Sequence, residues 1–205
     1  MNAVFVDRDG TLNVNTGYVA DPTDVAIVPH AARGLRMLAD AGYAIVVVSN
    51  QSGIARGYFT QAQADAVDAR MRELLAADGA RIDAIYRCPH WPSDERPAGA
   101  PECDCRKPKP GMLRAAAADL DIDLARSWMV GDRLLDMQAG RAAGCRCVLV
   151  PGTPPHEPSE DMSGAPPDYR ARDLADAARF IIDTDRASVS PAARLSSQAP
   201  RAGSR

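Results

Sequence analysis

Apolar residues fall into short continuous runs separated by stretches with a helical period. Residues 3–7 open with Ala3-Val4-Phe5-Val6 and predict a buried strand. Residues 44–48 (Ala-Ile-Val-Val-Val) are a β-branched run, the pattern of a strand covered on both faces. Three further strands are predicted at 83–87, 127–131 and 146–150. Between them, residues 30–41 place Leu35 and Leu38 on one helical face and stop at Gly42. Thr60-Gln61-Ala62-Gln63 reads as a capping box that opens a helix to about Ala77, with Val67, Met71, Leu74 and Leu75 inward. Helices are also expected at 112–120, at 136–143 with a stop at Gly144, and at 174–182. Residues 12–29, 88–110 and 151–167 read as loops. Strands alternating with helices predict an α/β fold, a doubly wound parallel sheet. One domain over 1–185 is expected, followed by a disordered tail at 186–205 of Ser, Ala, Pro and Arg.

Polar chemistry gathers where the strands end. The first strand runs into Asp7-Arg8-Asp9-Gly10-Thr11 and the second into Ser49-Asn50-Gln51-Ser52-Gly53. Arg106 and Lys107 precede the 112–120 helix, and the fourth strand gives Gly131-Asp132-Arg133 with Asp136 beyond. In a parallel sheet these ends share one edge, so the groups can converge. Paired carboxylates, a hydroxyl, a lysine and a further acid are the set that phosphoryl transfer to an aspartate needs.

Composition narrows the picture. A net charge of −3 over 205 residues argues against a general nucleic-acid binder. No apolar run is long enough to span a membrane, and the start of the chain has neither a basic leader nor a long apolar core. The chain has 22 Arg but two Lys, and both Lys lie in Arg106-Lys107-Pro108-Lys109-Pro110-Gly111. A site needing a compact charge would keep Lys there. Of five cysteines, Cys88, Cys103 and Cys105 lie with His90 in two tight pairs, twelve residues apart. Three thiolates and an imidazole suit a closed, structural Zn2+ site in a reducing compartment. Cys145 and Cys147 read as core packing, and neither His30 nor His156 is given a role.

The four strand-end motifs resemble those of the haloacid dehalogenase-like phosphatases, over residues 1–182. The resemblance implies that Asp7 is the nucleophile, that Asp9 protonates the leaving oxygen and then activates water, and that Ser49 and Lys107 bind the transferring phosphoryl group. It implies Mg2+ on Asp7, the backbone carbonyl of Asp9, and Asp132. An acid at position 9 favours a phosphatase over a dehalogenase, because halide departure needs no proton donor. Only one helix and one strand fit between Asp7 and Ser49, and nineteen residues lie between Arg87 and Lys107. No cap domain is therefore expected, and the site should be open and roofed by loops.

The cysteine loop, Ser49-Asn50-Gln51-Ser52-Gly53-Ile54-Ala55-Arg56-Gly57 and Val130-Gly131-Asp132-Arg133-Leu134-Leu135-Asp136 resemble the heptose-1,7-bisphosphate 7-phosphatase family and the related histidinol-phosphate phosphatases. Implied substrate contacts are Asn15, Thr16, Gly17, Tyr18, Ser49, Asn50, Gln51, Ser52, Arg106, Lys107 and Arg133. Arg133 and Ser49 stand where the family commonly has Lys and as often Thr; both keep the chemistry. The expectation is a cytoplasmic monomer acting on a small phosphorylated sugar, with no nucleic-acid or membrane partner. Histidinol phosphate or another small monoester is the alternative substrate. A zinc-stabilised binding module without catalysis is the reading from a different class.

Overall fold

The computed structural model describes residues 1–153 and 161–188. In chain order these form β1 (Ala3–Val6), α1 (Ala31–Asp40), β2 (Ala44–Asn50), α2 (Gln61–Ala77), β3 (Ala84–Cys88) and α3 (Gly111–Leu120). There follow β4 (Trp128–Gly131), α4 (Leu134–Ala143), β5 (Arg146–Leu149), β6 (Tyr169–Arg170) and α5 (Leu174–Ser188). The strands make one sheet of six in the order β3-β2-β1-β4-β5-β6, and every pairing is parallel.

The alternation of side chains along β1 divides the core. Val4 and Val6 point into the layer built with Leu35 and Leu38 of α1, Met71 of α2 and Ile181 of α5. Ala3 and Phe5 point to the opposite face, against Met112 and Leu113 of α3 and Met137 of α4. Helices therefore cover both faces, which is why β1, β2 and β4 are apolar at nearly every position. The expected capping box is present. Thr60 Oγ1 accepts the Gln63 N–H at 3.2 Å, and Gln63 Oε1 accepts the Thr60 N–H at 2.8 Å.

From β1 the chain moves outward through β2 to β3, then returns to place β4 on the other flank of β1. The carboxyl ends of β1 and β4 thus border the crevice at which an open α/β sheet collects its ligands. Between β1 and β2 lie a loop and α1, and between β3 and α3 only the cysteine loop. No cap domain is inserted at either of these points, all of whose residues are described.

Two elements differ from the sequence expectation. The sixth strand was not predicted; it is two residues long, emerges from a Pro-rich stretch, and is held by its pairing to β5. The last helix runs to Ser188, past the expected end at 182. Its outer turns are polar, and Asp185 anchors them by accepting from Arg146 at 2.5 Å and from Trp128 Nε1 at 3.3 Å. Residues 186–188 of the expected tail are therefore helical, whereas 189–205 and His156 lie outside the described residues. Cys145 and Cys147 are buried as expected, and burial pushes both thiols up to about 12.

Gly34 sets how closely α1 and α5 approach. A Cβ there would lie 2.6 Å from the Leu174 carbonyl oxygen. Gly34→Ala should force the helices apart and cost about 1–3 kcal/mol. Urea unfolding checks this, and an unchanged midpoint would refute it.

Candidate active site

Lys107 stands at the centre of the strand-end cluster. Its side chain is buried, and its Nζ donates to Asp7 Oδ1 at 2.5 Å and to the Val48 carbonyl at 2.8 Å. The same ammonium lies 2.7 Å from Asp136 Oδ1. Burial pulls the ammonium's pKa down, but Asp136 and Asp7 outweigh it and hold Lys107 above its usual value. Asp7 feels the opposite balance. Desolvation raises its carboxyl to about 7 against the pull of Lys107, with Asp136 and Asp9 adding to the rise. A cation beside Asp7 would favour its charged form.

Backbone geometry delivers these groups. The Asp7 N–H donates to the Val130 carbonyl at 2.9 Å, extending the β1–β4 pairing into the site. Gly10 takes φ +95°, and a Cβ there would collide with the Asp132 carboxylate. The glycine is thus needed both for its backbone conformation and for space. Thr11 Oγ1 donates to Asp132 Oδ1 at 3.3 Å. Carboxylate oxygens of Asp7, Asp132 and Asp136 all lie within 4.8 Å of one another, and all three residues are buried. Hard oxygen donors in that number suit Mg2+.

Asp9 sits beside this cluster, bound on several sides. It receives Gln51 Nε2 at 2.7 Å, Asn13 Nδ2 at 3.1 Å and an ion pair from Arg8 Nη2 at 3.0 Å. Gln51 also donates to Ser49 Oγ at 2.8 Å, so one amide spaces the acid from the hydroxyl. Asn50 brackets Lys107: its Oδ1 accepts the Lys107 N–H and its Nδ2 donates to the Lys107 carbonyl, both at 3.0 Å.

The second cluster is the cysteine loop. Cys88 Sγ lies 3.7 Å from Cys103 Sγ and 3.6 Å from His90 Nδ1, which is 3.2 Å from Cys105 Sγ. A disulfide needs sulfurs about 2.05 Å apart. A tetrahedron with Zn–S arms of about 2.3 Å has edges of about 3.8 Å, close to the spacing seen. The donors thus fit zinc with no open position. Arg106 Nη1 donates to the His90 carbonyl at 3.3 Å and Lys109 Nζ to the Cys103 carbonyl at 3.0 Å, so basic side chains brace the loop. Arg56 joins the wall from the other side, over the Trp91 ring at 4.7 Å and paired with Glu95.

A cavity of about 260 Å³ opens above the cluster. Asp7, Asp9, Asn15, Gly17, Tyr18, Ser49, Asn50, Gln51, Ser52, Arg106, Lys107 and Arg133 line it. A second cavity of about 540 Å³ adjoins it under the cysteine loop, sharing Arg106, Lys107 and Arg133. Thr16 is exposed and lines neither cavity. Another cavity, of about 580 Å³, lies beside Tyr43 and Arg146 at the opposite ends of the strands and holds none of the expected site residues.

The chain is similar to known proteins over most of its length. Residues 104–177 match a family described as HAD-hydrolase-like. A D-glycero-beta-D-manno-heptose-1,7-bisphosphate 7-phosphatase of Haemophilus ducreyi is 47% identical over 72% of this chain and 81% of its own length. The Salmonella typhi protein of that name is 44% identical, covering 85% of this chain and 92% of its own. The chain belongs to the heptose-1,7-bisphosphate 7-phosphatase family. A crystal structure of D,D-heptose 1,7-bisphosphate phosphatase from B. bronchiseptica, complexed with magnesium and phosphate, superposes with a TM-score of 0.74 at 34% identity. It covers 90% of this chain and 99% of that one. An HAD-like phosphatase structure from Mesorhizobium loti gives 0.76 at 39% identity, over 90% of this chain and 87% of its own.

This family's members are phosphoric monoester hydrolases, and so is this chain. Three residues were under-read in the sequence. Asp136 is a partner of Lys107 rather than a spare acid, and its place one helical turn beyond Asp132 was the available signal. Arg8 and Asn13 fix Asp9, and neither showed a pattern beyond its nearness to the motif.

Asn50→Ala should leave the Lys107 N–H and carbonyl unmet and loosen its ammonium. Stability should fall by about 1–2 kcal/mol, and phosphatase activity by about tenfold or more. Thermal melting and phosphate release measure both. Full activity would show that Lys107 does not need this clamp.

Proposed function

We propose that this chain removes the 7-phosphate of D-glycero-β-D-manno-heptose 1,7-bisphosphate in the synthesis of nucleotide-activated heptose. The observation that carries the chemistry is the buried Lys107 ammonium at 2.5 Å from Asp7, beside Asp132 and within one cavity with Asp9 and Ser49. The substrate rests on the names of relatives that match most of the chain.

In this reading an Asp7 oxygen attacks phosphorus and the bond to the sugar oxygen breaks. Asp9 gives that oxygen its proton, which completes the alcohol and leaves an aspartyl phosphate. The Asp9 carboxylate then takes a proton from water, whose oxygen bonds to phosphorus as the bond between phosphorus and the Asp7 oxygen breaks, which releases inorganic phosphate and restores Asp7. Lys107 and Ser49 neutralise and anchor the transferring oxygens. Asp7, the Asp9 carbonyl and Asp132 would hold Mg2+, which supplies positive charge to the phosphoryl oxygens when bound. Asn15, Gly17, Tyr18, Ser52, Arg106 and Arg133 line the cavity, and in this reading they contact the sugar. Gln51 and Asn50 act on Asp9 and Lys107 as well as lining it. Cys88, His90, Cys103 and Cys105 would hold a structural zinc, and Cys105 is two residues from Lys107.

Phosphate release with Mg2+ should favour the β anomer of heptose 1,7-bisphosphate over the α anomer and over histidinol phosphate. Asp7→Asn should lower the rate by at least about a thousandfold. Preference for histidinol phosphate would overturn the substrate, and an active Asp7→Asn variant would overturn the nucleophile.

Metal analysis should find one zinc per chain. Its removal by chelation should make residues 88–105 exchange amide hydrogens freely and raise KM for the sugar phosphate more than it weakens Mg2+ dependence. A chelated protein with an ordered loop and unchanged KM would refute the structural role.

A further inference from the structure

Arg8 is a buried cation that the reaction above does not use. Only 1% of it is exposed. One edge of its guanidinium faces Asp9, with Nε 3.1 Å and Nη2 3.0 Å from Oδ2. Its remaining nitrogen, Nη1, donates to Asp68 Oδ1 on α2 at 3.0 Å. The other oxygen of Asp68 accepts from Arg87 Nη1 of β3 at 2.8 Å, and Arg87 pairs in turn with Asp65 near the surface. Charges of alternating sign therefore run from the surface of α2 and β3 inward to Asp9.

Anchorage on regular secondary structure distinguishes this path from the other contacts of Asp9. Gln51 and Asn13 are buried amides on loops, and their second hydrogen bonds go to Ser49 Oγ and the Val14 carbonyl, each close by in the chain. A guanidinium is a planar fork, so fixing one edge fixes the direction of the other. Asp68 is anchored on a helix and gripped by a second arginine, which gives that fork a stationary mount. Stability alone does not demand this arrangement, since apolar side chains of similar volume commonly fill such a space as well as buried ions do. A general acid, by contrast, must be aligned with the oxygen that receives its proton.

We propose that Asp68 is a positioning residue for Asp9: acting through the plane of Arg8, it aims the Asp9 carboxyl at the leaving-group oxygen. The inference rests on the reading of Asp9 as the group that protonates that oxygen.

The test compares two esters of the same shape, phenyl phosphate and p-nitrophenyl phosphate, with the full chain and Mg2+. Phenoxide is the more basic leaving group and depends more on a proton donor. In Asp68→Asn, kcat/KM on phenyl phosphate should fall by about tenfold, with a loss of less than about threefold on p-nitrophenyl phosphate. Asp9→Asn should show the same discrimination more strongly. Arg87→Gln, at the outer end of the path, should show it more weakly, and reports the same ratio should Asp68→Asn not fold. If Asp9→Asn discriminates between the esters while Asp68→Asn and Arg87→Gln slow both equally, or slow neither, the positioning role is wrong and the reading of Asp9 stands. If Asp9→Asn fails to discriminate, that reading falls and the inference with it.

Discussion

The site is organised around one ammonium group. Lys107 donates hydrogen bonds to Asp7 and the Val48 carbonyl and forms an ion pair with Asp136. Those partners belong to the end of β1, to β2 and to α4. A single buried charge thus fixes the relative positions of three elements and holds Asp7 in the middle. Taking that charge out of water is costly, and breaking such a pair by deleting one partner typically costs about 3–5 kcal/mol. A forked guanidinium would not fit three oxygens spaced this way. The scarcity of lysine elsewhere in the chain therefore has a physical counterpart: of the two present, one joins the acids and the other, Lys109, braces the cysteine loop.

Much of this is legible in the sequence, and the reason differs by element. The strands β1, β2 and β4 are covered on both faces, so their apolar runs were unbroken and their ends easy to place. Helix α2 announced itself through the Thr60–Gln63 box. The four motifs were readable because each follows a strand or precedes a helix. What escaped was context. Strand β6 has two residues and no pattern of its own; pairing to β5 makes it. The outer turns of α5 are polar, and only the contacts of Asp185 with Arg146 and Trp128 explain why they remain helical. Asn50 and Gln51 were expected to touch substrate. They line the cavity, yet their hydrogen bonds go to Lys107 and Asp9. No local sequence signal separates a group that binds a ligand from one that holds its neighbour.

The two clusters of ligand atoms follow opposite chemical preferences. The strand-end cluster offers carboxylate oxygens in a pocket open to a cavity, which suits a hard ion that must also reach phosphate. The cysteine loop offers sulfur and nitrogen at tetrahedral spacing with nothing left over. They meet in the chain at Cys105-Arg106-Lys107. The loop that forms the cavity wall is therefore continuous with the residue that anchors the site.

The sheet order also has a consequence for how the protein is made. Strand β1 is made before both of its neighbours in the sheet, β2 and β4. Its partner β4 begins at Trp128, more than a hundred residues later, and the Asp7 N–H reaches its acceptor only when Val130 arrives. Domains generally assemble as synthesis proceeds from the N-terminus, yet here β1 must wait with one edge open until β4 is made. The nascent chain therefore carries Asp7 well before Asp132 and Asp136 emerge, and the cluster of acids around Lys107 can close only after α4 has been made.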